Sequence, residues 1–350
     1  MNPNAAAAAN SAGLEAFAAA HPRLAERQLK QAYLHWAEQR GILVNLGLAC
    51  MQQGKVALAE RCYRLAATSE ELRTRRSARK NLGFLHLWRG EWHQGWHWHG
   101  CRFEGEPFLD QQWSGQPLNG QPLLVWNDVG MGDAFQFVRY TQPLVARGER
   151  VILAVHSSQI RLFQEHLAWP LAQVVDRDRI DLQAGPHIPL MGLVGLLDPS
   201  TAWGRSWPGP TWRLPGGQPV APHALGLCWA SNPNDRSLHR FKSLAAEALC
   251  ARLNPHERTW HRLSLQTDEP EAHQHLKLAP PGRCWVATLE RAGHCRRVHS
   301  VDTAVAHLAA GAGVPVTLHL GAMADWRWQG AAPLWYPRLT PYQDGAAAAP

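Results

Sequence analysis

The sequence predicts an α/β protein behind an N-terminal all-α repeat region. Three observations carry that expectation. Residues 40 to 105 repeat a helical pattern; residues 122 to 176 alternate short apolar runs with amphipathic segments; residues 224 to 320 do so again. A chain of 350 residues suits two or three domains. Its 45% hydrophobic content is enough to bury more than one core.

The first segment, "MNPNAAAAANSAG", has no basic start and no apolar stretch of the kind a signal peptide carries. It reads as a disordered leader over residues 1–20, followed by helical repeats over 21–105. Leu29, Tyr33 and Trp36 mark an early helix. Two segments then begin alike, at Asn45 ("NLGLACMQQG") and at Asn81 ("NLGFLHLWRG"). Each carries Asn-Leu-Gly and a second glycine nine positions after the Asn, Gly54 and Gly90. Each reads as helix, turn, helix: the small residue lets paired helices approach, and the later glycine breaks the hairpin. The period of 36 and the L-G-x-x pattern resemble the tetratricopeptide repeat.

Within this region "WHQGWHWHG" puts His93 and His97 four apart, on one helix face. That is metal-pair spacing, but no third ligand stands at a set distance. Packing of Trp92, Trp96 and Trp98 against the next domain is the simpler reading. The densest basic cluster is Arg73, Arg75, Arg76, Arg79 and Lys80. It spans two helical turns and reads as a solvated helix face. The formal net charge is +7, yet the basic residues are mostly dispersed, so nucleic acid is not an expected partner. The seven cysteines form no CxxC pair, which argues against a disulfide framework and for a reducing cytoplasm. No apolar run reaches the roughly 18 residues of a membrane span.

The polar, Gly/Pro-rich stretch "EGEPFLDQQWSGQPLNGQP" marks a boundary at residue 105 or 106. A strand at 123–126, a helix at 133–147 stopped by Gly148, a strand at 150–155, a helix and the strand "AQVVD" follow in order. This β-α-β-α-β rhythm predicts a parallel, doubly wound sheet over 106–215. A Pro/Gly/Trp-rich connector leads to a second α/β half over 216–350. It has strands at 224–230, "WHRLSLQ" and 314–320, with helices at 244–253 and 302–310.

Three turns can carry chemistry. Gly130-Met131-Gly132-Asp133 lies where strand hands over to helix. Its glycines permit tight geometry or close approach of a ligand. Asp133 is either a helix cap or a carboxylate at the carboxyl end of a strand, where it can act as a general base on a hydroxyl. The two roles are compatible. The turn is not a dinucleotide fingerprint, because the third glycine of GxGxxG is missing. "SVDTAVAHLA" joins a strand end to a helix of small residues, and a helix start suits a diphosphate. Ser300 and Thr303 add hydroxyls there; Asp302 either caps the helix or accepts from a sugar hydroxyl. The loop 231–243 holds Arg236, Arg240 and Lys242, which are either surface residues or cations for a leaving pyrophosphate.

Taken together, "LLVWNDVGMGDAFQFVRYTQPLVARGERVILAV", "GLCWASNPNDRSLHRFKSL" and "SVDTAVAHLAAGAGVPV" with the later "DWRW" and "WYP" resemble the bacterial tetratricopeptide-repeat glycosyltransferases. Those are similar to heptosyltransferases and, more distantly, to O-linked N-acetylglucosamine transferases. The resemblance spans roughly residues 40 to 340. It implies a GT-B architecture, two Rossmann-like domains with a nucleotide sugar between them, behind a short repeat array. It implies Asp133 as the base, and Arg240, Lys242, Ser300, Asp302, Thr303, Ala304 and His307 as the donor site. It places Gly130, Gly132, Gln136, His187 and Asn232 around the cleft. It implies no metal and no cofactor, the nucleotide sugar being the substrate. The acceptor is a hydroxyl, of a glycan or of a protein docked on the repeats. Departures from the family pattern point to an alternative, a degenerate fold kept as an interaction module. Asn127-Asp128-Val129 stand where the family has Glu-Gln, and "HCRRVHS" puts Arg296 and Arg297 in an expected buried strand.

Overall fold

A computed structural model describes residues 1–207, 209–215, 224–232, 241–266, 284–321, 324–328 and 335–343. The chain divides into two compact units. One is Met1–Leu109 with Asp325–Gln329; the other is Asp110–Ala324 with Gly330–Pro350.

The first unit is all-α. Its helices are α1 (Pro3–Ala18), α2 (Pro22–His35), α3 (Gly41–Met51), α4 (Val56–Ala66), α5 (Leu72–Trp88) and α6 (Trp92–Gly100). They pack as successive hairpins α1/α2, α3/α4 and α5/α6. The segment expected to be a disordered leader is therefore helix α1. Alanine is the strongest helix former, and the burial of Ala6, Gly13 and Ala16 gives the helix a packed side.

A glycine sits at a close approach within each hairpin, and its partner follows sixteen residues later. A Cβ on Gly13 would stand 2.6 Å from Leu29 Cγ; on Gly47, 2.3 Å from Tyr63 Cε1; on Gly83, 2.6 Å from the backbone nitrogen of His99. Burial, with Arg102 beside it, holds the His99 ring well below its ordinary pKa, so it packs as a neutral ring. Gly54 and Gly90 take φ of +69° and +77° at the helix ends, a conformation open to glycine at little cost.

Ion pairs repeat with the hairpins. Glu26 bonds Lys30 one turn along α2 and Lys55 in the next hairpin. Glu60 likewise bonds Arg64 along α4 and Arg89 in the next hairpin. Burial alone would raise the Glu26 carboxyl, but hydrogen bonds from Lys30, Lys55 and Gln53 outweigh it and hold the pKa at about 2. The basic cluster on α5 is not a simple solvated face. Arg75 and Arg79 pair with Glu104, and Arg76 with Glu106. Trp92 and Trp96 pack edge-on against Trp326, which belongs to this same unit, while Trp98 joins its core.

The second unit holds two parallel sheets. In the N-terminal lobe, β1 (Leu123–Trp126), β2 (Val151–Val155), β3 (Gln173–Asp176) and β4 (His187–Pro189) are ordered β3-β2-β1-β4. In the C-terminal lobe, β5 (Ala224–Cys228), β6 (His261–Ser264), β7 (Cys295–Val301), β8 (Val316–Leu320) and β9 (Leu339–Gln343) are ordered β6-β5-β7-β8-β9. All pairings within both sheets are parallel. Apolar runs such as "VILAV" and "ALGLC" are buried along nearly their whole length, as strands covered on both faces must be.

Two expectations change here. The single helix over 133–147 is α7 (Met131–Phe137), a 3₁₀ stretch at Val138–Thr141, and α8 (Gln142–Ala146); α9 (Ile160–His166), α10 (Leu190–Leu197), α11 (Ala202–Arg205), α12 (Ala246–Ala251), α13 (Trp285–Gly293) and α14 (Ala304–Gly311) follow among the described residues. Pro143 has no N–H to bond back into the preceding turn, so the α pattern breaks before it. The charged stretch "HCRRVHS" forms the central strand, β7, without burying both of its arginines. A register shift pairs Ala224 with Cys295 and Leu225 with Arg297. Arg296 is thereby left out of the ladder and is exposed.

Candidate active site

The candidate site lies at the carboxyl ends of the strands, where open α/β sheets bind ligands. In the N-terminal lobe β1 ends at Trp126 and the chain turns through residues 127–130 into α7. Asn127 is buried, and its side-chain N–H groups donate to the carbonyls of Val129 and Gly130. Arg177, just past β3, donates to the carbonyls of Asn127 and Val129. Gln159 donates to the Met131 carbonyl. The turn is thus held from three sides, and Asn127 fills a structural place in it.

Asp133 is the third residue of α7. Its Oδ2 accepts the Gly130 N–H at 2.9 Å, so the cap reading holds. The bond also anchors the carboxylate at the mouth of the turn.

Neither Gly130 nor Gly132 adopts a left-handed backbone. Gly132 is small for another reason. A Cβ there would lie 3.0 Å from His307 Cδ2 and 3.2 Å from Ala304 Cα. Those residues belong to α14 (Ala304–Gly311), the helix that follows β7. Gly132 therefore lets the two lobes touch at the carboxyl-end corners of both sheets.

The facing corner is a buried polar network. Ser300, Asp302 and His307 are 0%, 9% and 4% exposed. Lys242 Nζ donates to Asp302 Oδ2 at 2.6 Å. His307 Nε2 lies 3.9 Å from Asp302 Oδ1, and its Nδ1 shares a 2.9 Å hydrogen bond with the Tyr336 hydroxyl. A carboxylate this buried needs such a cation, because desolvation is otherwise costly. The hydroxyls of Ser300 and Thr303 lie 3.1 Å apart, and Cys228 Sγ is 3.6 Å from Thr303 Oγ1. Gln266, past the end of β6, accepts the Ala230 N–H at 3.1 Å.

Asp302 does not cap α14. Thr303 stands at the cap position without a side-chain capping bond, and among the described residues no side chain bonds the first amides of the helix. The first N–H groups of a helix have no partner within it. A helix start uncapped by any side chain, with a paired cation alongside, can receive an anion.

Asp133, Gly130, Gly132, Asp302, Thr303, Ala304, His307, Ser300 and Lys242 thus stand at the two touching corners. Asn232 is exposed beyond β5, next to Ser231, whose N–H donates to Ser243 Oγ. Arg236 and Arg240 lie outside the described residues. Gln136 is fully buried on α7, one turn past Gly132, with neither side-chain polar atom hydrogen-bonded. His187 stands on the edge strand of the N-terminal sheet, next to β1. It is fully buried in β4, and its Nδ1 accepts the Trp126 indole N–H at 3.1 Å within its own sheet.

Tyr336, Arg177 and Gln266 are among the residues to which the sequence alone did not point. Tyr336 stands in the "WYP" stretch, but only the fold shows that it meets His307. A basic or amide residue just past a strand's carboxyl end is the signal common to the other two. Arg139 is a further one. It is wholly buried, donates to the carbonyls of Gly204 and Trp335, and lies 4.8 Å over the Tyr336 ring. Burial pulls its pKa down from the ordinary value.

Among the described residues, no group of three or more His, Cys, Asp or Glu is placed to hold a metal ion. His93 and His97 are both exposed on α6. No helix among the described residues is long and apolar enough to cross a membrane.

No family model matches the chain, and no curated protein does. Solved structures with some likeness to it are glycosyltransferases at low identity. One is the iron-containing dodecameric glycosyltransferase TibC of enterotoxigenic E. coli H10407, at 12% identity and a TM-score of 0.44. That match covers 63% of this chain and 62% of TibC. The chain thus spans less than two thirds of TibC's length. The E. coli heptosyltransferase WaaC with ADP matches at 13% identity and a TM-score of 0.37, over 64% of this chain and 91% of WaaC. A mutant O-GlcNAc transferase of Thermobaculum terrenum matches at 13% identity and a TM-score of 0.29, over 93% and 84%.

Proposed function

We propose that the chain is a GT-B-type glycosyltransferase, moving a sugar from a nucleotide diphosphate sugar to a hydroxyl acceptor. The observation that carries this reading is the contact of Gly132 with Ala304 and His307. It sets Asp133 on one lobe against an uncapped helix start and a Lys242–Asp302–His307 network on the other.

In this scheme the acceptor oxygen attacks the anomeric carbon of the donor. A new C–O bond forms as the bond from that carbon to the phosphate oxygen breaks. The hydroxyl proton passes to the Asp133 carboxylate. The electron pair leaves with the nucleoside diphosphate, whose charge is met by Lys242 and the first amides of α14. Asp302 and His307 accept from, or donate to, donor hydroxyls. No metal ion has a step in this scheme. The helical unit is read as a short tetratricopeptide array that docks a protein or peptide acceptor, with the whole chain acting in the cytoplasm.

A thermal-shift screen of the full chain against uridine, guanosine, adenosine and cytidine diphosphates tests the proposal. One of them is expected to raise the melting temperature by about 5–10 °C at a hundredfold excess over its dissociation constant. No shift with any of the four would point instead to an inactive interaction module.

A further inference from the structure

The other end of the C-terminal sheet carries a pocket that the transferase scheme does not use. It is about 380 Å³, and its lining includes Trp260, Arg296, Arg297, Pro315, Arg338 and Glu257. Trp260 directly precedes β6, Pro315 precedes β8 and Arg338 precedes β9; Arg296 and Arg297 open β7. Because the sheet is parallel, four strand starts converge there. Arg296 stands six residues before Asp302, about 20 Å along the strand direction, so the pocket and the Asp302 corner lie at opposite ends of β7.

The register shift between Ala224 and Leu225 is what delivers Arg296 to the pocket. A bulge gives up regular pairing and re-aims a side chain. Here the guanidinium is brought over Trp260, 5.0 Å from the ring centroid. The charge balance of the lining is one-sided: three arginines face one carboxylate, Glu257. That carboxylate is 5% exposed and turned inward. Its Oε1 lies 3.4 Å from Arg297 Nε and 3.3 Å from His299 Nε2, and its Oε2 accepts the Asn254 N–H at 3.2 Å. Arg338 donates one N–H to the Gly313 carbonyl at 3.0 Å, which leaves most of its five donors. Arginine clusters of this kind set up a positive potential, and their planar forks match phosphate oxygens.

We propose that this pocket binds a small phosphate-bearing anion of the pyrophosphate class, held by Arg296 and Arg338 beside Trp260. The inference stands independently of the transferase reading, because none of its residues belongs to the crevice.

Calorimetric titration of the full chain with pyrophosphate tests it, using wild type, the Arg296→Ala/Arg338→Ala double variant and Lys242→Ala. The double variant is expected to weaken binding at least tenfold, and Lys242→Ala to leave a tight event in place. Phenylglyoxal modification of the wild type, mapped by mass spectrometry, gives a readout free of any folding defect. Pyrophosphate is expected to protect Arg296 and Arg338. Absence of binding, unchanged binding by the double variant, loss in Lys242→Ala alone, or equal modification with and without pyrophosphate would each overturn the proposal.

Discussion

Glycine does the same steric work in both units and leaves opposite results. In the helical unit Gly13, Gly47 and Gly83 bring hairpin arms together, and what fills the seam is Leu29, Tyr63 and the backbone at His99. In the α/β unit Gly132 brings α7 against α14, and what borders the seam is Asp133, Lys242, Asp302 and His307. The first kind of contact is packing. The second is close approach at a place where charge has been kept. A small residue at a helix crossing therefore says nothing about function until the charges beside it are known.

The largest effect that sharpens this contrast is expected from Gly132→Val. The added methyls meet Ala304 backbone and the His307 ring, so the two corners must separate. Displacements near 1 Å at a reacting centre can cost about 100-fold. Transferase turnover should fall by that factor while the far-ultraviolet circular dichroism stays that of wild type. Wild-type turnover would show that the contact has no part in the site.

Gly83→Ala comes next. Its Cβ would meet backbone of α6, which cannot turn aside. The overpacking cost, about 2–3 kcal/mol, exceeds the ~1 kcal/mol gain in helix propensity. Gly13→Ala, which meets the Leu29 side chain at Cγ and Cδ2 before any backbone atom, should cost less. Urea unfolding of the two variants checks the order, and the reverse order would refute the backbone argument.

Glu26→Gln is expected to cost about 1–2 kcal/mol, since Lys30 and Lys55 are half-exposed and partly screened. The sign with pH follows from the depressed carboxyl. Its contribution is complete above about pH 4.5 and is lost as pH falls toward about 2. Unfolding curves of wild type and Glu26→Gln should therefore converge as the pH drops from 5 to 2. Smallest of all, Arg64→Ala should cost no more than about 0.5 kcal/mol, because it removes a half-exposed pair one helical turn apart.

Much of this organisation was legible in the residues. The apolar runs at 123–126, 150–155 and 224–230 read as strands, and the Asn45 and Asn81 segments read as hairpins. The first hairpin was hidden because α1 is alanine-rich, so its buried side makes no apolar stripe. Gly13 precedes Gly47 by 34 residues, whereas Gly83 follows it by 36, which breaks the period. Strand β7 was misjudged because a bulge is a property of pairing, and nothing in "CRRV" alone announces that Arg296 will be turned out. At the site, the two turns could be found by local pattern. Tyr336 on His307 and Arg177 on the Asn127 turn could not, since each joins residues far apart in sequence.

In the proposed transferase, Asp133 and the Asp302–His307 corner serve one reaction in separate roles. Donor turnover and nucleoside diphosphate affinity measured together on wild type, Asp133→Asn and Lys242→Met test it most directly. Asp133→Asn is expected to lose about 100- to 10,000-fold in kcat with nucleotide affinity kept, while Lys242→Met loses affinity. Equal turnover in wild type and Asp133→Asn would contradict it.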